Sequence, residues 1–216
     1  MPGVVLLLIG LIAPVSPNLV RLALWMGASL SITALAMVVS SKFGKLKARD
    51  SLLDAVSLSP SDTVLDVGCG RGLLLIGAAK RVTKGRAVGI DLWSTTDQFR
   101  NSSAATIANA AAEGVTARTE VRDGDMRQLP FENESFDAVV SSLAIHNLPG
   151  KEDREKSVRE IARVLKSGGR VGIIDIANVD SYRDALWSAG VTTLSKPAWS
   201  PWIFPPARFV VGTKQA

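Results

Sequence analysis

Residues 64–72 read VLDVGCGRG: an apolar run broken by one acid, Asp66, then a turn with glycine at every second position, Gly68, Gly70 and Gly72. With Thr63 in front, the run predicts a short strand over 63–67. Its near-continuous apolar character suits a strand covered on both faces. Glycines directly after a strand let the backbone turn tightly and approach a ligand closely. The helical run 73–82 that follows would present its free N–H groups to that ligand.

The same alternation continues outward. Residues 87–91 (AVGID), 117–122 and 136–141 (FDAVVS) read as strands, as does 170–176 (RVGIIDI). Helical runs at 104–113 and 152–165 lie between them, and a short amphipathic helix at 50–57 precedes the first strand. A last helix at 182–189 leads to two strands, 191–195 and 208–213, whose helix-free connection predicts antiparallel pairing. Strands separated by helices give parallel crossover units. The fold expected is α/β: a Rossmann-like, doubly wound sheet.

Open sheets of this kind bind ligands at the carboxyl ends of their strands. The unusual residues fall there: the glycine turn after the first strand, Asp91 ending the second, Asp123, Gly124 and Asp125 ending the third, and Ser141 and Ser142 ending the fourth. Asp91 is placed to accept from ribose hydroxyls. A dinucleotide turn has the spacing GxGxxG, whose last position here is Leu73, and no GK[ST] phosphate loop is present.

Composition narrows the classes further. The chain has 216 residues, 47% hydrophobic and 21% charged, which excludes a disordered tail. A single Cys and a single His exclude a disulfide framework and a Cys/His zinc cage, so no metal site is expected. The net charge of +5 comes from Arg21 and the short basic run Lys42, Lys45, Lys47 and Arg49. From Asp50 onward the chain is neutral, so no nucleic-acid partner is expected.

Residues 22–41 (LALWMGASLSITALAMVVSS) carry no charge and would span about 30 Å as a helix, the thickness of a bilayer's hydrocarbon core. A shorter apolar run occupies residues 3–13, and whether it spans, re-enters or lies on the membrane stays open. The amino terminus lacks the positive region of a signal peptide. The organisation expected is a membrane-anchor segment over 1–41, a basic juxtamembrane linker with a short helix over 42–57, and a ligand-binding domain over 58–216. The basic flank puts that domain on the cytoplasmic side. Small residues from Gly27 to Ala36 would also suit helix pairing in a homodimer.

VLDVGCGRG, GIDLW (89–93), GDMRQLPF (124–131), FDAVVSSLAIHNL (136–148) and REIARVLKSGGRVGIID (159–175) together resemble the class I S-adenosylmethionine-dependent methyltransferases in order and spacing. The resemblance covers about residues 45–176 and leaves residues 1–41 outside it. It implies a seven-stranded sheet with an antiparallel last strand and S-adenosylmethionine as cofactor. Asp66 and the turn Gly68, Gly70 and Gly72 would face the methionine part, and Asp91 the ribose. Leu92 would pack on adenine, Asp125 accept from its amino group, Met126 lie beside the ring, and Ser141 line the pocket.

Cys69, inside the turn, reads as a small buried residue rather than a thiolate nucleophile. His146, the only histidine, is the candidate base for the acceptor's proton, or else a loop residue beside the cofactor. The stretch 176–191 is too short for the long insertion that covers the acceptor pocket in many members of the family it resembles, so a lid would come from the N-terminal segment, from residues 50–57 or from the last connection. The connection 196–206, with Trp199, Trp202 and Phe204, either lines an apolar acceptor site, sits at a membrane interface, or packs on the sheet edge. A small, lipophilic acceptor follows as the expectation, with the acceptor atom undetermined. Two other classes stay open: a nicotinamide-dependent oxidoreductase and a non-catalytic, membrane-tethered adaptor that binds the cofactor.

Overall fold

In the computed structural model, which describes residues 16–94 and 101–215, the first strand has the bounds read from the sequence. In chain order the elements are α1 (Pro17–Val39), α2 (Lys45–Val56), β1 (Thr63–Val67), α3 (Leu73–Arg81), β2 (Arg86–Asp91) and α4 (Ser103–Ala112). They continue with β3 (Thr119–Asp123), β4 (Phe136–Ser142), α5 (Lys151–Val164), β5 (Leu165–Asp175) and α6 (Val179–Ser188). Three strands close the chain: β6 (Val191–Leu194), β7 (Ala198–Ser200) and β8 (Ala207–Lys214).

The sheet runs β3-β2-β1-β4-β5-β8-β6, parallel as far as β5. Strand β8 is antiparallel to β5, and β6 is antiparallel to β8, as the helix-free connection requires. The expected seven strands are this path. An eighth, β7, adds three residues beside the start of β8, inside the connection that reads as irregular.

Alternation along the strands sorts the two faces. Leu65, Val67, Val88, Ile90, Val139, Val171, Ile173 and Val210 share one core cluster with Val158 and Ile161 of α5 and Tyr182 and Leu186 of α6. The intervening positions face the other layer. A Cβ on Gly172 of β5 would come within 2.5 Å of Val56 of α2, and one on Gly89 of β2 within 2.9 Å of Leu75 of α3. Each fully buried aliphatic side chain contributes about 1.5–3 kcal/mol, so both layers hold the sheet. The fold is doubly wound, with β1 central and its carboxyl end beside those of β2 and β4.

Contacts divide the chain into two units. One holds the described part of Met1–Lys45 together with Trp202–Pro205; the other holds Leu46–Pro201 and Pro206–Ala216. In the first, α1 exposes Leu22, Trp25, Ile32 and Leu35. Helical conformation continues from α1 through a π-helical turn, Ser40–Gly44, into α2, so the basic run from Lys42 to Arg49 is helical throughout. This helix, Pro17–Val56, is long and apolar enough to cross a membrane, with a window of mean hydropathy 2.0 that is 6% buried. The apolar run at 3–13 lies outside the described residues.

Candidate active site

The glycine turn is built as its sequence demands. Gly68, Gly70 and Gly72 all have positive φ, a region that costs other residues about 1–2 kcal/mol. A Cβ on Gly68 would collide with the Ala144 side chain and lie 3.2 Å from Met126 Cε. The N–H groups of Gly68 and Cys69 donate to the Ile90 carbonyl at 2.9 and 3.1 Å, tying the turn to β2. Gly72 then forms the N-terminal boundary of α3.

Asp91 organises the neighbouring strand end. Its Oδ2 accepts from the Gly70 N–H at 2.8 Å, and its Oδ1 from the Trp93 N–H at 2.7 Å and the Asn101 amide at 3.2 Å. Asn101 is buried, and its Oδ1 has no hydrogen-bond donor among the described residues. From the outer side, Thr106 of α4 donates to the Gly70 carbonyl at 2.6 Å and Asn109 to the Arg71 carbonyl at 2.9 Å. Leu92, 58% exposed, leaves an apolar surface beside Asp91.

Asp66 is fully buried in β1 and accepts from the Leu75 N–H at 2.8 Å. Burial pushes its carboxyl up to about 7, and nearby Asp91 adds to the rise, while the Leu75 bond opposes it. The Cys69 thiol is pushed up too, chiefly by burial, so it is no thiolate nucleophile.

At the end of β3, Asp125 is locked to Arg127. Its Oδ1 accepts from the Arg127 backbone N–H at 2.8 Å, and its Oδ2 from Nε at 2.9 Å and Nη2 at 2.6 Å. The guanidinium hydrogen bond holds the Asp125 carboxyl below its usual range. Ser141 is buried, and its hydroxyl donates to the Val67 carbonyl at 2.8 Å, joining β4 to β1. Its position is as the sequence suggests, with its hydroxyl turned into the sheet.

His146 sits on a short turn after β4, with Nδ1 2.5 Å from Oδ1 of Asp175 but off line for a hydrogen bond. Asp175, 1% exposed at the end of β5, also accepts from the backbone N–H groups of His146 at 3.0 Å and Ile176 at 2.8 Å. The Tyr182 hydroxyl lies 3.4 Å from Oδ2. The sequence reading missed Asp175, Asn101, Thr106 and Arg127. Asp175 had a signal, being an acid at a strand's carboxyl end like Asp91. Among the described residues no cluster suited to a metal ion occurs.

Asp66, the glycine turn, Asp91, Asp125 and His146 thus lie at the carboxyl ends of adjacent parallel strands. The family described as methyltransferase domain matches residues 65–173, half of the chain and all of these positions. The chain belongs to this methyltransferase family. Nocamycin O-methyltransferase of Saccharothrix syringae is 36% identical over 140 residues, covering 64% of this chain and 46% of that protein. Demethylmenaquinone methyltransferase of Lactobacillus johnsonii is 31% identical over 130 residues, covering 59% and 49%. A solved S-adenosylmethionine-dependent methyltransferase from Aquifex aeolicus superposes with a TM-score of 0.61 at 20% identity, covering 77% of this chain and 89% of that one. The chain spans about half the length of these two curated relatives.

The cofactor of this methyltransferase family is S-adenosylmethionine, and the nicotinamide reading gives way to it. The residues present fit the group. The three positive-φ glycines keep the turn free of side chains next to Asp91, and the Asn101 Oδ1, without a donor among the described residues, offers an acceptor to a hydroxyl.

The raised Asp66 carboxyl has a consequence for stability. Between about pH 4 and pH 7 the folded chain holds a proton there that the unfolded chain, at its ordinary value of 3.8, has released. Stability linked to this group is therefore full below pH 4 and falls as pH rises to about 7. Asp66→Asn keeps an acceptor for Leu75 and removes the titration. Denaturant unfolding should show the variant gaining on the parent as pH rises across that window, with the difference constant above it. A pH-independent difference would refute the assignment.

Proposed function

We propose that this chain transfers a methyl group from S-adenosylmethionine to a small lipophilic acceptor, and that residues 1–41 anchor it in a membrane with the domain on the cytoplasmic side. The observation that carries the methyl-transfer reading is the convergence of Asp66, Gly68, Gly70, Gly72 and Asp91 on one turn. The anchor reading rests on the exposed apolar face of α1. The lipophilic acceptor is supported by that anchor and by a relative named for a quinone, demethylmenaquinone.

In this reading Asp91 and Asn101 hold the ribose hydroxyls, and Leu92 and Met126 flank the adenine. Asp125 takes the adenine amino group once Arg127 swings toward Asp153, whose Oδ2 is already 3.4 Å from Nη1. Asp66 and the glycine turn face the methionine part, and Ser141 shapes the pocket floor by bracing β4 against β1. When bound, the cofactor supplies an electrophilic methyl on a sulfonium that departs as a neutral thioether. His146 would accept the proton that the acceptor's nucleophilic atom loses on methylation. Alignment supplies much of the rate, since well-oriented reacting groups gain about 7–11 kcal/mol. No covalent enzyme intermediate is needed.

The test is transfer of labelled methyl from S-adenosylmethionine by the full chain in vesicles, with demethylmenaquinone and a graded panel of alcohols, thiols and amines. Turnover should rise with acceptor hydrophobicity. Equal turnover of highly polar acceptors by a chain lacking residues 1–41 would sink the lipophilic, anchored reading. Saturable cofactor binding with no transfer to any acceptor would favour a non-catalytic adaptor.

A further inference from the structure

The tip of the β7–β8 connection, Trp202–Pro205, belongs to the same unit as α1, whereas Trp199 lies in the other unit with the Arg208 guanidinium 5.5 Å from its ring centre. Trp202–Pro205 is fastened to the π-helical turn at two points. The Phe204 backbone N–H donates to the buried Ser40 Oγ at 2.8 Å, and Gly44 is so close that any Cβ there would collide with the Trp202 carbonyl oxygen. Ile203 is buried at 7%, while Trp202 and Phe204 on either side of it stay 40% and 39% exposed. Phe43, on the turn itself, is 64% exposed.

The position of this latch is informative. If the uncharged run 22–41 fills the hydrocarbon core, at about 1.5 Å per residue, Ser40–Gly44 falls at the boundary between acyl chains and headgroups. Aromatic side chains concentrate at that depth, and lysines favour the anionic cytoplasmic surface beyond it. The exposed aromatics here are Phe43, Trp202 and Phe204, and the cations that follow are Lys42, Lys45, Lys47 and Arg49.

We propose that Trp202 and Phe204 form an interfacial foot, latched to the end of the anchor helix, that inserts into the headgroup region of an anionic bilayer. The inference rests on the anchor reading above and adds a second membrane contact from a distant part of the chain. A single spanning helix fixes depth and leaves rotation about its axis free. An aromatic foot beside it removes that freedom for the β7–β8 connection.

The experiment uses the full chain with Trp25, Trp93, Trp187 and Trp199 changed to Phe, leaving Trp202 as the reporter, in vesicles of phosphatidylcholine and phosphatidylglycerol. The vesicles carry brominated lipids labelled either near the headgroup or near the chain end. Shallow bromines should quench Trp202 at least about twofold more strongly than deep ones, as for a residue at the interface. Gly44→Ala should abolish that quenching, because the new methyl displaces the Trp202 carbonyl, while flotation with vesicles and cofactor binding persist. Trp202 emission typical of water and unquenched, in a chain that floats, would overturn the foot and leave the anchor standing. A chain that does not float overturns both. Quenching unchanged in Gly44→Ala would refute the latch.

Discussion

Asp91→Ala should cost the chain its saturable binding of S-adenosylmethionine, with affinity falling by about a hundredfold or more. The carboxylate has two tasks that alanine removes together. It holds the Gly70 and Trp93 N–H groups at 2.8 and 2.7 Å, which shapes the turn, and it anchors the Asn101 amide at 3.2 Å. In the proposed complex it also receives the ribose hydroxyls. Hydrogen bonds to a charged group contribute about 1.5–3 kcal/mol each, so the loss of two exceeds a factor of a hundred.

Asp91→Asn sharpens the test. An amide keeps one acceptor oxygen but presents an NH2 to a backbone N–H on its other side, so it too should bind poorly. Calorimetric titration measures the affinity, and circular dichroism with thermal unfolding checks the fold. Binding within about threefold of the parent in a folded Asp91→Ala sample would remove Asp91 from the site, since one lost charge-assisted bond already predicts more.

The strand ends were legible because a buried parallel strand and the turn that stops it leave sharp marks. Residues 63–67 end at a glycine that no other residue can replace without meeting Ala144. Less was legible where structure depends on pairing between distant segments. Ala198–Ser200 is too short and too close to prolines to read as a strand, and it becomes one only through the edge that β8 offers. The basic run looks like a solvated linker because charge and helicity are independent. The apolar period that would mark a helix there is diluted by lysines, and Gly44 looks like a break until the Trp202 carbonyl is seen against it.

Side-chain partnerships were the least legible part of the site. Asp125 reads as an open acceptor from its place after β3, yet Arg127, two residues on, occupies it. Ser141 sits where expected with its hydroxyl committed to Val67, 74 positions away. The link between His146 and Asp175 spans 29 positions, and only the sheet register brings them together. Strand spacing fixes which residues reach the ligand-binding edge. It does not fix which of them already have partners.

His146→Ala is expected to lower kcat by about 10²–10³-fold while the dissociation constant for S-adenosylmethionine stays within about twofold, because a positioned base acts on the acceptor's proton and not on the cofactor. In the proposed mechanism Asp175 is a positioning residue for the His146 ring. Its Oδ2 takes the His146 backbone N–H at 3.0 Å and so holds the turn that carries the ring, while its Oδ1 lies 2.5 Å from Nδ1 and limits where the ring can sit. Asp175→Asn should therefore lower kcat by about tenfold, less than removal of the ring, because a misaligned base still functions part of the time. A merely structural Asp175 would lower the unfolding midpoint and cofactor affinity while sparing kcat per folded molecule. If His146→Ala keeps its activity within a few-fold of the parent, no proton acceptor is needed at this position. The acceptor would then reach the site already deprotonated, or carry a nucleophile with no proton to lose, and alignment alone would account for the rate.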